Sequence, residues 1–153
     1  MTVKLVPIDG TDAHARSELV AFVNKHYASE LPLTEGPLEN GTVLFFWAVR
    51  AAPDGGDERV GCSAYMAKTK FLAESVKTVV DPRFRGQRLG EAISQAIEDE
   101  VKSRGFTKIM STILVGNLPM IFIKLKQGFL IEGIHMDHEK IGLHEYSLGK
   151  VLK

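Results

Sequence analysis

Three arginines, Arg83, Arg85 and Arg88, crowd one short stretch that also holds Gly86 and Gly90. Arginine presents a planar fork of donors that suits phosphate oxygens. Just before them, Val79-Val80-Asp81-Pro82 reads as the end of a strand, because proline has no N–H to give a ladder. Just after them, Leu89, Ile93, Ala96, Ile97 and Val101 recur at helical spacing. A strand, a basic loop and a helix start leave several backbone N–H groups unpaired at the positive end of a helix dipole. The chemistry this predicts is the binding of an anion, most often a phosphate.

Other residue types are suited to act on a bound ligand. Glu74 stands near the start of the strand that leads to the loop. From its neighbours Ala73, Ser75 and Val76 it reads either as facing a cleft or as a solvent-facing strand carboxylate. Tyr65 and Tyr146 are alternative proton donors, though strand tyrosines more often pack with the hydroxyl at the surface. His135, His138 and His144 lie close in sequence, but not at the spacing of a helical metal pair, and no metal is expected. They read as scattered surface histidines. Cys62 lies in an apolar strand and reads as core.

The elements that must position these residues follow from periodicity and turn chemistry. Lys4 to Ile8 is a short strand, and Ala13 to Tyr27 is a helix with Leu19, Val20, Phe22, Val23 and Tyr27 on one face. Ser29 to Gly41, with Pro32, Gly36 and Pro37, is a long loop with a helical turn, either functional or a plain connector. Val43 to Ala51 and Arg59 to Ala67 form a hairpin around Pro53-Asp54-Gly55-Gly56-Asp57. A strand from Leu72 to Val80 precedes the basic loop, and the helix after it ends at Arg104-Gly105. Lys108 to Val115 is a strand, Asn117 to Lys126 a helix, and Phe129 to Met136 and His144 to Val151 the last two strands. The crossover from Val80 to Val115 implies one parallel pair inside a mostly antiparallel sheet.

The totals narrow the class. The chain has 153 residues, with 19 Lys+Arg against 19 Asp+Glu. A neutral balance argues against a general nucleic-acid or membrane-surface binder. A single cysteine allows no intrachain disulfide. The first residues lack the apolar core of a signal peptide, and no apolar run reaches the length of a membrane span. A cytoplasmic location is expected.

Three phosphate sites compete for the basic loop. A Walker loop needs G-x-x-x-x-G-K-[S/T], and a dinucleotide site needs G-x-G-x-x-G after an early strand; neither is present. The third is the pyrophosphate of coenzyme A. From Glu74 to Phe129 the sequence resembles the GNAT superfamily of acetyl-CoA-dependent N-acetyltransferases. That family's central motif is V-x-P followed by [Q/R]-x-x-G-x-[G/A] opening a helix. Here it reads Val80-Asp81-Pro82, then Arg85-Gly86-Gln87-Arg88-Leu89-Gly90. The second motif is an Asn after the next strand and a helix ending Y-x-K-x-G-F. Here it reads Asn117, then Lys124-Leu125-Lys126-Gln127-Gly128-Phe129. Two positions depart from the pattern: Arg88 replaces a glycine and Lys124 replaces a tyrosine.

The resemblance implies an α/β (α+β) fold: a single GNAT-like domain over residues 1–153, with a mixed, mostly antiparallel sheet of about six to seven strands flanked by about four helices. It implies an N-acetyltransferase that uses acetyl-CoA as cosubstrate and passes the acetyl group to a primary amine, on a small molecule or a peptide. Arg85, Gly86, Gln87, Arg88, Leu89 and Gly90 would hold the pyrophosphate. Arg88 either points outward and binds phosphate or points inward and distorts the loop. The strands carrying Thr78 and Ser111 would splay to admit the pantetheine arm, a backbone N–H of Thr78, Val79 or Val80 would meet the thioester oxygen, and Asn117 would bond the arm. Lys124 belongs to the same cofactor set, as a proton donor or a phosphate ligand. Glu74 would be the base. The loop carrying Glu30, Glu35 and Glu39 and the last hairpin, around Gly133 to Gly142, would shape the acceptor pocket. Pairing of the late strands would give a homodimer. A non-catalytic acyl-CoA-binding or sensing module is the alternative, motivated by the absent tyrosine.

Overall fold

Alternating apolar and polar residues in the first hairpin decide which face of the sheet each side chain reaches. In the computed structural model, which describes residues 2–27 and 31–153, Ser29 and Glu30 fall outside the described residues. The strands are β1 (Lys4–Pro7), β2 (Leu44–Ala51), β3 (Asp57–Ala67), β4 (Leu72–Val80), β5 (Lys108–Leu114), β6 (Leu130–His135) and β7 (Glu145–Val151). The helices are α1 (Ala13–His26), α2 (Gly36–Glu39), α3 (Leu89–Ser103) and α4 (Leu118–Lys126). Along β2, Phe45, Trp47 and Val49 join Leu19 and Val23 of α1, whereas Phe46 and Ala48 point to the opposite face. There Leu89, Ile93, Ile97 and Val101 of α3 are buried. Each such side chain contributes roughly 1.5–3 kcal/mol when fully buried.

The seven strands form one sheet in the order β1-β2-β3-β4-β5-β7-β6. Every neighbouring pair is antiparallel except β4 and β5, which are parallel and joined through α3. The expected mixed sheet with four helices is therefore what the chain forms. β6 is one of the two edge strands, and all six of its residues are exposed. Among the described residues, no helix is long and apolar enough to cross a membrane.

The feature that matters for function is a fork. β4 and β5 pair only at Leu72↔Lys108, Ala73↔Ile109 and Glu74↔Met110. Beyond that the strands part, and Ser111 Oγ donates to the Ser75 carbonyl at 3.3 Å at the point of divergence. On its other side β4 shifts register against β3 between Cys62 and Ala64, and Lys77 sits there with φ +53°. Positive φ is uncommon outside glycine and marks a bulge that bends the strand. Ser63 Oγ and Thr78 Oγ1 lie 2.8 Å apart and tie the bulge to β3.

Candidate active site

The three loop arginines do not share one fate. Asp81 caps the short 3-10 turn Pro82–Phe84, and its carboxylate accepts from the Arg83 guanidinium at 2.8 Å. That bond holds the Asp81 carboxyl below its ordinary range and raises the Arg83 guanidinium. Arg88 donates to Glu91 at 2.7 Å, and Lys126 donates to the other oxygen of Glu91. Arg85 is exposed and has no ion pair or side-chain hydrogen bond among the described residues. It is the arginine left to meet a ligand.

Arg88 is the N-cap of α3 at φ +58°, ψ +21°, a conformation in which glycine is the default residue. Its side chain points out and supplies no cap. By contrast Asp12 accepts from the first turn of α1, and Asn117 Oδ1 accepts from Met120 N at 3.4 Å in α4. The first N–H groups of α3 therefore stay open to an anion. Gly90, in that first turn, faces Ile123 so closely that a Cβ would come within 3.1 Å of its Cδ1.

A cleft of about 710 Å³ runs from this loop into the fork. Thr78, Val79, Val80, Arg85, Gly90 and Asn117 all line it, together with Pro119, Met120, Leu143 and His144. Gly86, Gln87, Arg88 and Leu89 do not line this cleft. Leu89 is core, and Gln87 accepts from Arg50 at 2.6 Å.

Lys124 is not a solvated ligand. Only 1% of it is exposed, and its Nζ donates to Ser94 Oγ at 2.7 Å and to Ser75 Oγ at 3.2 Å. Ser94 Oγ in turn donates to Gln127. Burial lowers the Lys124 pKa to about 8, opposed by nearby Glu98. The side chain borders a small cavity of about 50 Å³ under the fork, beside Ser75, Ser111 and Asn117.

A second cleft, of about 730 Å³, opens on the far side of the fork. It shares Tyr27, Leu114 and Leu143 with the first, so the two adjoin at these side chains. Glu74 lies in it, 8% exposed. Glu74 Oε1 accepts from Thr112 Oγ1 at 3.0 Å, and Lys68 Nζ stands 3.3 Å from Oε2. His138, Glu139 and Glu145 line the same cleft.

Among the described residues of the acidic loop, Leu31 lines this cleft whereas the carboxylates Glu35 and Glu39 do not. Glu35 pairs with Arg16 at 3.2 Å, and Glu39 borders a separate depression beside Ile8 and Arg104. Tyr65 stacks on Phe46 in the core and lines neither cleft. Tyr146 likewise packs against the core. Cys62 is fully buried, and its thiol is pushed up to about 12 by desolvation. Two residues that spacing did not single out are central here. Tyr27, read as part of an apolar helix face, ends α1 and borders both clefts, with Lys77 Nζ 4.8 Å from its ring centre. Burial raises its phenol. Glu145, at the start of β7, is brought there by pairing with both Leu114 and His135.

A mixed sheet forked at its parallel pair, with an open helix N-terminus beside the fork, defines an acetyltransferase fold. Residues 15–129 match the model of the acetyltransferase (GNAT) family, and the chain belongs to that family. The family uses acetyl-CoA as acyl donor. The fold is similar to the ribosomal-protein-S18-alanine N-acetyltransferase from Escherichia coli, with TM-score 0.76 at 14% identity over 99% of this chain and 95% of that one. It is similar to Arabidopsis thaliana NAA60 in complex with a bisubstrate analogue, with TM-score 0.74 at 14% identity over 99% and 100%. A GNAT family acetyltransferase from Elizabethkingia anophelis with acetyl-CoA bound gives TM-score 0.72 at 14% identity over 99% of each chain. No curated protein matches the sequence.

Proposed function

We propose that this chain moves an acetyl group from acetyl-CoA to a primary amine by direct attack in a ternary complex. The observation that carries the reading is the pair of adjoining clefts on either side of the fork. In this reading Arg85 and the open N–H groups of α3 receive the pyrophosphate. The pantetheine arm lies between β4 and β5, where Asn117 reaches it. Beyond Glu74 the β5-facing edge of β4 has no strand partner, which supports a backbone N–H of the Thr78 to Val80 segment as the donor to the thioester oxygen. Lys124 braces the floor under the arm through Ser75 and Ser94. Glu74 supplies negative charge on the acceptor side, which suits a cationic amine.

Following free thiol release from acetyl-CoA with a series of primary amines tests the reading. Amine-dependent release supports it. Tight CoA binding with no release from any amine would favour the alternative, a non-catalytic acyl-CoA-binding module. The buried lysine at the position of the family's tyrosine is the observation that keeps that alternative in view.

A further inference from the structure

The acceptor cleft holds two carboxylates of similar burial and different company. Glu74 is committed on both oxygens, to Thr112 and to Lys68. Taking up a proton would cost it the ion pair. Glu145, whose side chain is 8% exposed, faces His138 instead, with Nδ1 3.1 Å from Oε2. A carboxylate only accepts, so the ring carries a proton on Nδ1, and in the neutral ring the lone pair is then on Nε2. Among the described residues nothing bonds Nε2.

The ring is also held in place. His135 stacks on it with centroids 4.5 Å apart and planes 23° apart. The His138 N–H donates to the Leu143 carbonyl, and Gly142 N–H donates to Asp137 Oδ1 at 2.6 Å, pinning the loop. His138 is 45% exposed at its side chain and lines the cleft across from Glu74, Lys68, Lys77 and Tyr27.

Resting on the transferase reading above, we infer that His138 is the group that takes the proton from the acceptor's ammonium, and that Glu145 positions it. The amine R–NH₃⁺ gives one proton to His138 Nε2, and Glu145 stabilises the imidazolium that forms. The free amine attacks the thioester carbonyl: the N–C bond forms and the C–S bond breaks. The second proton of the attacking nitrogen passes to the departing thiolate. The products are the amide, the CoA thiol and one proton released from His138 to solvent.

The test compares His138→Gln and Glu145→Gln with wild type, using acetyl-CoA and two small acceptors. Ethylamine is cationic at neutral pH and needs the base; hydroxylamine is uncharged there and does not. Both are small relative to a cleft of about 730 Å³. The expected result for His138→Gln is a loss of about 100-fold or more in kcat with ethylamine, with hydroxylamine little changed. Equal losses with both nucleophiles would overturn the proposal while leaving the transferase reading intact. Acetylation of hydroxylamine but not ethylamine by wild type would overturn it as well, and failure with both would count against the transferase reading itself. A measurement independent of turnover is the long-range proton–nitrogen NMR spectrum of the wild-type chain. The Nδ1–H tautomer at His138, redistributed in Glu145→Gln, supports the pairing; an Nε2–H tautomer in wild type overturns it.

Discussion

The two ends of the forked cleft handle charge in opposite ways. At the loop end the chain keeps Arg85 and the first turn of α3 uncommitted, while Arg83 and Arg88 are tied to Asp81 and Glu91. At the hairpin end the ionisable groups that line the cleft include two coupled pairs, Glu74 with Lys68 and Glu145 with His138. An end that must recognise a charged ligand gains from charge with no prior partner, because binding then breaks no ion pair. An end that must move protons gains from pairing, which fixes tautomer and direction before the substrate arrives. Lys124 lies between them as a buried cation hydrogen-bonded to two hydroxyls.

That contrast can be broken or sharpened by substitution. The largest expected effect is at Lys124. A lysine whose pKa is lowered to about 8 binds fewer protons in the folded chain than in the unfolded one between there and its ordinary 10.5. Stability therefore rises with pH across that window, and below it the folded state carries the full cost of the buried charge. Lys124→Met is expected to raise unfolding free energy by about 2–3 kcal/mol at neutral pH, with the gain fading as pH climbs to 10.5. Denaturant titrations at the two pH values check this, and a loss at neutral pH would show that Glu98 compensates the charge.

Arg85→Ala is next. Losing a charge-assisted bond to phosphate is expected to weaken CoA binding by about 2 kcal/mol, roughly 30-fold. Arg83→Ala removes the same charge from the same loop but should change the affinity by less than about two-fold, since that guanidinium is already engaged. Calorimetric titration with CoA compares them, and equal losses would erase the distinction between free and committed arginines. Lys68→Met is smaller. It leaves the mostly buried Glu74 uncompensated, and with Lys68 itself partly exposed the expected loss of stability is about 1 kcal/mol, accompanied by a lower KM for cationic acceptors. Smallest is Arg88→Gly. Relief of the left-handed backbone, offset by a freer unfolded chain, should give a gain of about 0.5 kcal/mol in thermal unfolding.

The loop end was legible in the sequence and the hairpin end was not. Val80-Asp81-Pro82, the glycines and the helical spacing of Leu89, Ile93 and Ile97 act within a few residues of one another, so local rules read them. Asn117 as a helix cap is likewise local. The partners of the arginines were less readable, since Lys126 reaches Glu91 only through helix packing. Glu145 and His138 are seven residues apart, but their meeting depends on the hairpin register and on the turn at Asp137, with φ +49°. The partners of the loop carboxylates were not legible either, because charge alone does not say which face it lies on: Glu35 pairs with Arg16 on α1, while Leu31 of the same loop lines the cleft. The surroundings of Lys124 were not legible for the opposite reason. Its type predicts solvent, and the fold placed it under two serines.

The bulge at Lys77 has a thermodynamic consequence. The separation of β4 from β5 is written into main-chain angles and a hydroxyl bond between Ser63 and Thr78, not into contacts with a ligand. A gap held by the backbone itself does not have to be wedged apart on association. Most of the ordering entropy of the encounter then falls on the long, flexible arm of the incoming molecule, and little on the protein. Analogues with a shortened or stiffened arm should therefore show their gains and losses mainly in entropy.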